Sequence, residues 1–477
     1  MRLRRPLVIA TLTLTLTAAA AVPSPALAHG LVARADLPIP KWLFAWAAGV
    51  VLLVSFVALA VLWPRPQLEL AAPAATPGRL GALPFSRAVR TAAGAVGVGL
   101  LALIIWSGID GSQTVGDNIA PTFVFVAFWV GLVPASILLG DVFRAFNPWA
   151  ALARVIAAVA ARLSRRALPP PLQYPRWLGR WPAVVGLIGF AYMELAAGNG
   201  AAPQNIAIAA IVYSTVTSVA MSLVGVEPWL DNAEAFSVYF NLFSRISPLQ
   251  AQAGRVVVRR PLSGLTQLDT SLAGTVPLLA VMIGTVTFDG AGDAPAWLSI
   301  RARITDFFST HGFPDAASLR LASTIGLLSA VLLVLMLYRI GAAGVRYAAG
   351  GGDAANAFVH TLVPIAAAYV GAHYLSFLLT QGQAVIPLAS DPLGQGWNLF
   401  GTAGRLVDYG IIGVTATWYF QVLLVIAGHL AGLTAAHDRA LVLYGDPRVA
   451  RRSQYWMLGV MVAFTFLALV LLAQAGA

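Results

Sequence analysis

Ten apolar runs of membrane-spanning length divide this sequence, and a chain built that way has few ways to fold. They cover about 40–63, 91–108, 120–140, 181–198, 205–225, 271–290, 321–340, 356–380, 408–435 and 454–475. Each is near the roughly 20 residues that cross a bilayer as helix. In hydrocarbon every backbone N–H and C=O must be satisfied by protein, so runs of this length predict helices. Charged residues make up 10% of the chain and hydrophobic ones 59%, whereas soluble domains carry about 25% charge. The expected fold is an all-α polytopic integral membrane bundle, about ten transmembrane helices in a single domain over residues 29–477.

The first 28 residues read as a signal peptide. Arg2, Arg4 and Arg5 precede an apolar stretch, Pro23 and Pro25 break it, and Ala26 and Ala28 supply the small residues that signal peptidase accepts. Cleavage after Ala28 makes His29 the first mature residue. With that end outside, the inner loops hold twenty-one arginines and the outer ones six basic residues, as the positive-inside rule requires. The sequence thus predicts a bacterial plasma-membrane protein with both mature termini outside. The formal net charge of +11 is then a topology signal and an attraction to anionic lipid, and no nucleic-acid partner is expected. The absence of cysteine removes disulfides, thiolate metal sites and thiol nucleophiles.

Two inner segments, within 141–180 and at 235–249, suit interfacial amphipathic helices, while the outer connections 291–319 and 381–407 are long enough to cap the bundle. The glycines of "AAGGGDAAN" (348–356) lack the Lys-Ser/Thr of a phosphate loop. They predict a turn.

Chemistry must come from the few ionisable groups at membrane depth, which are costly there and so are functional candidates. Glu194 and Asp289 lie near the outer ends of the fourth and sixth runs, and His373 reaches the same level in the eighth. His360 precedes it by thirteen residues, about 20 Å along a helix and on nearly the opposite face. His360, His429 and His437 therefore form a separate inner group, expected to tie helix ends together with Asp141 or Asp438. At the outer surface the α-amine and imidazole of His29, with His373 and Glu194, offer ligands for Cu or Zn, and Glu194 or Asp289 offers a general base. A buried Glu194 also needs a cation, a hydrogen-bond donor or its own proton beside it.

The stretches "AHGLVARADLPIPKWLFAWAA", "LGDVFRAFNPWA", "GTVTFDG", "HTLVPIAAAYVGAHYLSFLLTQGQ" and "GHLAGLTAAHDRAL" resemble a group of bacterial, largely actinobacterial, polytopic membrane proteins identified as fenitrothion hydrolases. The resemblance implies membrane-bound hydrolysis of an organophosphate triester with release of a nitrophenol. On this reading Glu194 and Asp289 are catalytic, a bound metal activates water, and the partners are the lipid bilayer and a small-molecule substrate. The alternative is a transporter or metal-handling protein without turnover. Pro134 in the third run and Pro364 in the eighth would then mark broken helices in two inverted halves.

Overall fold

The computed structural model describes residues 41–71, 82, 86–164, 171–350 and 352–474. His29 and the proposed signal peptide lie outside the described residues. The chain is a helical bundle: α1 (Lys41–Leu62), α2 (Arg87–Asp110), α3 (Ile119–Leu139), α4 (Pro148–Leu163), α5 (Trp181–Leu195), α6 (Pro203–Val224), α7 (Val226–Asn232), α8 (Ala235–Ser244), α9 (Thr275–Ala291), α10 (Pro295–Thr310), α11 (Asp315–Ala349), α12 (Leu362–Gln381), α13 (Val414–Tyr444) and α14 (Pro447–Gln474). One antiparallel hairpin, β1 (Leu249–Gln252) with β2 (Arg255–Val258), turns at Ala253 and Gly254, both with positive φ.

Among the described residues six helical segments are long and apolar enough to cross a bilayer: Arg87–Asp110, Ile119–Leu139, Pro203–Val224, Asp315–Ala349, Ala354–Ser390 and Val414–Tyr444. The expected count of ten is corrected accordingly. At about 1.5 Å per residue α5 is roughly 22 Å long and α9 roughly 25 Å, short of a hydrocarbon core about 30 Å thick. After α9 the chain bends by 94° into α10, so the segment expected to be an outer loop at 291–319 contains a helix. The first and last expected spans, 40–63 and 454–475, run past the described side chains.

The centre of the bundle is α9, buried on every side from Leu278 to Phe288. A helix that is apolar all round has no solvent face to offer and belongs inside. It packs on α5, α11 and α12, while α12 pairs with α13 and α11 with α14. Small residues set these approaches. A Cβ on Gly284 would come within 2.6 Å of Val331 Cα, and one on Gly428 within 2.2 Å of Ala368 Cβ. Close packing of this kind replaces the hydrophobic drive that lipid cannot supply. Gly428→Ala is accordingly expected to lower the thermal unfolding midpoint in detergent, by about 1–3 kcal/mol of overpacking. Gly459→Ala, with nothing near its Cβ position, should leave the midpoint unchanged or raise it.

The third span is irregular. Thr122–Val130 is π-helical, and the Gly131 N–H donates to Val126 O at 2.8 Å, five residues back. Such insertions often lie beside functional sites.

The segment after α3 bears out one amphipathic expectation and overturns the other. Asn147 caps α4, its side-chain oxygen accepting from Ala150 N at 2.8 Å, and α4 turns an apolar-exposed face outward through Val155, Ile156 and Val159. Arg144 clasps Glu227 and Asp231 on α7, and Arg154 joins Glu227. Burial pushes the Glu227 carboxyl up, but Arg154 and Arg144 prevail and hold it below the ordinary value. By contrast α8, read from sequence as interfacial, is buried at every residue except Asn241. Its aromatic residues point in several directions at once, and each finds a ring: Phe236 meets Phe128 and Phe190, Phe240 meets Phe143, and Tyr239 stacks on Trp129 at 4.2 Å.

Candidate functional site

Three helices bring ionisable groups to one level. Asp289 stands fourteen residues above the start of α9, Glu194 thirteen above the start of α5 and His373 thirteen beyond His360, each about 20 Å up a helix. At that level Asp289 Oδ2 takes two partners from α12: His373 Nε2 at 2.8 Å and the Tyr374 hydroxyl, which donates at 2.7 Å. The side chains of Asp289 and His373 are 4% and 5% exposed. Consecutive residues on a helix diverge by about 100°, so their convergence on one oxygen fixes α9 against α12 in rotation as well as distance.

Opposite the carboxylate, the His373 ring nitrogen Nε2 is the one that carries hydrogen, leaving a lone pair on Nδ1. Among the described residues Nδ1 has no hydrogen-bond partner. Gly290 lies beside it, where an added Cβ would sit 3.6 Å away. The imidazole is therefore oriented at one nitrogen and available at the other, the arrangement a general base requires.

Glu194, half-buried on α5, is within electrostatic reach of Asp289 and makes no hydrogen bond among the described residues. Tyr374 and Tyr239 of α8 are within electrostatic reach of Glu194. The Tyr239 side chain is buried, and its hydroxyl has no partner among the described residues. Asp289, His373 and Tyr374 thus meet between α9 and α12, with Glu194 of α5 and Tyr239 of α8 within electrostatic reach. His373, Asp289 and Glu194 were legible as candidates in the sequence. Tyr374 was missed although it is the neighbour of His373, and Tyr239 was missed because α8 was taken for a surface helix.

The inner histidines do not converge. His429 Nδ1 donates to Val425 O at 2.8 Å within its own helix, and its Nε2 is buried without a partner. It lines an apolar cavity of about 60 Å³ with Tyr338, Thr361 and Gln454. His360 Nε2 is likewise buried and unpartnered. His437 Nε2 meets Trp63 O at 3.1 Å. Beside it Asp438 accepts four hydrogen bonds, from Trp63 Nε1 and from the backbone N–H groups of Gln67, Leu68 and Glu69, at 2.6–3.0 Å. Arg439 pairs with Glu69. This group binds the chain after α1 to α13. Asp141 has a comparable part, capping Arg144 N and accepting from Asn241.

Among the described residues no three His, Asp or Glu side chains are arranged to hold a metal ion. Glu194 and His373 are two of the expected ligands, and the third, His29, lies outside the described residues. No protein family, no curated protein and no solved structure matches this chain.

Proposed function

We propose that the protein is a membrane-bound hydrolase of apolar phosphotriester-like esters, with Asp289 and His373 as its acid–base pair. The observation that carries this reading is the buried Asp289–His373 contact, which leaves Nδ1 of an oriented imidazole without a hydrogen-bond partner among the described residues. In the step proposed, Nδ1 takes a proton from water while the water oxygen attacks phosphorus. The phosphorus–aryl-oxygen bond breaks, and the nitrophenolate leaves with the electron pair. Asp289 holds Nε2–H throughout and stabilises the imidazolium, which returns its proton to solvent. Tyr374 keeps the carboxylate aimed. Tyr239, within electrostatic reach of Glu194, carries a hydroxyl with no partner among the described residues, suited to the phosphoryl oxygen or to the attacking water.

On this reading the bundle sits in a bacterial plasma membrane, termini outward, and the site opens at the outer half of the bilayer. Export delivers a mature chain that begins at His29, whose amine and ring would add the ligands that a Cu or Zn ion needs beside His373 and Glu194. N-terminal sequencing of membrane-extracted protein checks the processing: His29 is expected as the first residue, and a retained Met1 removes the free-amine ligand. Nitrophenol release from an aryl phosphotriester, with the protein in nanodiscs, tests the activity.

A second reading, cation- or proton-coupled transport, draws on the irregular turns in two long spans. Thr122–Val130 is π-helical in the third, and Val359–Thr361 is a 3-10 turn leading into α12, and broken helices of this kind surround ion sites in transporters. Proton uptake by proteoliposomes without any nitrophenol release would favour it.

A further inference from the structure

On the far side of the Trp129–Phe190 ring pair lies a cleft of about 1230 Å³, bounded by α2, α3, α5 and α6 and floored by Phe128, Phe190 and Phe236. Small-molecule pockets usually enclose about 300–1,000 Å³. Its mouth is framed by Val185, Ile208, Val212 and Val216, all 50% exposed or more. These residues stand on apolar helix faces, and α6 is long enough to span a bilayer. What stands at the mouth of such a cleft is therefore lipid hydrocarbon, not water. The lining is apolar along its length, from Leu178 and Trp181 at the arginine-rich end, with polar groups such as Asn199 and Asn205 gathered at the opposite end.

Neighbouring residues connect the cleft to the site. Met193 lines the cleft, and the next residue is Glu194. Phe190, also in the lining, contacts Trp129 at 4.7 Å, and Trp129 stacks on Tyr239, whose buried hydroxyl is unpartnered. Trp129 itself belongs to the π-helical stretch that supplies Phe123, Val124 and Phe128 to the cleft. An aromatic partition two rings thick separates bilayer hydrocarbon from the polar cluster.

We propose that this cleft binds the hydrocarbon chain of a bilayer-resident molecule, and that it is the sideways entrance by which an apolar ester reaches Asp289 and His373. The second half of the proposal rests on the hydrolase reading; the first does not. A long apolar chain satisfies the cleft because it needs no hydrogen bonds along the walls and matches a space that runs nearly the length of α5. The substrate class that follows is an ester with a lipid-like apolar body, taken from the membrane and not from water.

Gly189 gives a clean test. It lines the cleft, and a Cβ there would meet nothing within 4 Å, so Gly189→Trp fills the space without disturbing a packed neighbour. Gly99→Trp on α2 is the control: its Cβ position is equally open, but the residue lies outside the lining. Wild-type and both variants are placed in nanodiscs that contain phosphatidylcholine with a photoactivatable diazirine on one acyl chain, and labelled positions are mapped by mass spectrometry. Labelling at Phe128, Phe236 or Tyr213 is expected in wild-type and Gly99→Trp, and a loss of about tenfold or more in Gly189→Trp, the scale on which apolar pockets discriminate. Labelling confined to outward positions such as Val219, or unchanged by Gly189→Trp, overturns the binding proposal. If nitrophenol release by Gly189→Trp equals that of wild-type while labelling is lost, the entrance is elsewhere. If wild-type hydrolyses nothing yet labels in the cleft, the hydrolase reading fails and the chain-binding site stands.

Discussion

Replacing His373 with glutamine is expected to lower nitrophenol release by about 10²–10⁴-fold, the usual contribution of a positioned general base. Glutamine can still donate an amide hydrogen toward Asp289, so the link between α9 and α12 is retained while the proton acceptor at Nδ1 is lost. The change should therefore appear in kcat with the folded fraction, read by size-exclusion chromatography, unchanged. His373→Ala differs in kind. It leaves Asp289 buried with one partner fewer, and breaking a buried pair from one side costs about 3–5 kcal/mol, so lost activity in that variant would mix chemistry with unfolding. His429→Ala removes a ring bonded only within its own helix and should change stability more than turnover.

The largest effect on folding is expected at the opposite surface. Asp438 accepts four hydrogen bonds from residues 63–69, three of them from consecutive backbone N–H groups that no helix satisfies. Asp438→Ala strands those donors, and at about 1–3 kcal/mol for each unsatisfied buried group, with partial relief from water, a loss of about 3–5 kcal/mol is expected. Thermal unfolding in detergent should show a midpoint well below that of Gly428→Ala. Nitrophenol release per folded molecule should be unchanged, because the group lies about 20 Å or more along the bundle from His373 by helix rise.

Much of this arrangement was legible in the sequence because the bilayer restricts what a polar residue can do. Glu194, Asp289 and His373 stood out as ionisable groups in apolar runs, and counting residues along each run put them at a common depth. Asp289 and His373 are in contact. What counting could not supply was rotation. Whether Tyr374 or some other neighbour reaches Asp289 depends on how α12 turns against α9, and that is decided by side-chain packing along their shared face, where Gly290 lies against the His373 ring. The helix α8 was misread for a related reason. A short aromatic-rich helix fits either an interface or a core, and only the surrounding rings of Phe128, Trp129 and Phe190 decide between them. The span count was too high because α5 and α9 carry the composition of a membrane helix without its full length, a difference that turns on where the chain bends after Ala291.

The inner histidines teach the converse point. Three histidines and an aspartate near one surface invite a metal or proton route, yet His429 and His437 bond to backbone carbonyls and Asp438 to backbone amides. Of these only His437 and Asp438 join chain segments, tying residues 63–69 to α13, while His429 bonds within its own helix.

The central claim is that Asp289 and His373 form an acid–base pair that turns over an apolar phosphotriester. The most direct measurement is nitrophenol release from such a triester by wild-type, His373→Gln and Asp289→Asn proteins in nanodiscs, normalised to folded protein and with the metal content of each sample determined. The account predicts turnover by wild-type well above that of empty nanodiscs, and a loss of about 10²-fold or more in both variants. Equal turnover by wild-type and His373→Gln at equal folded fraction would contradict it.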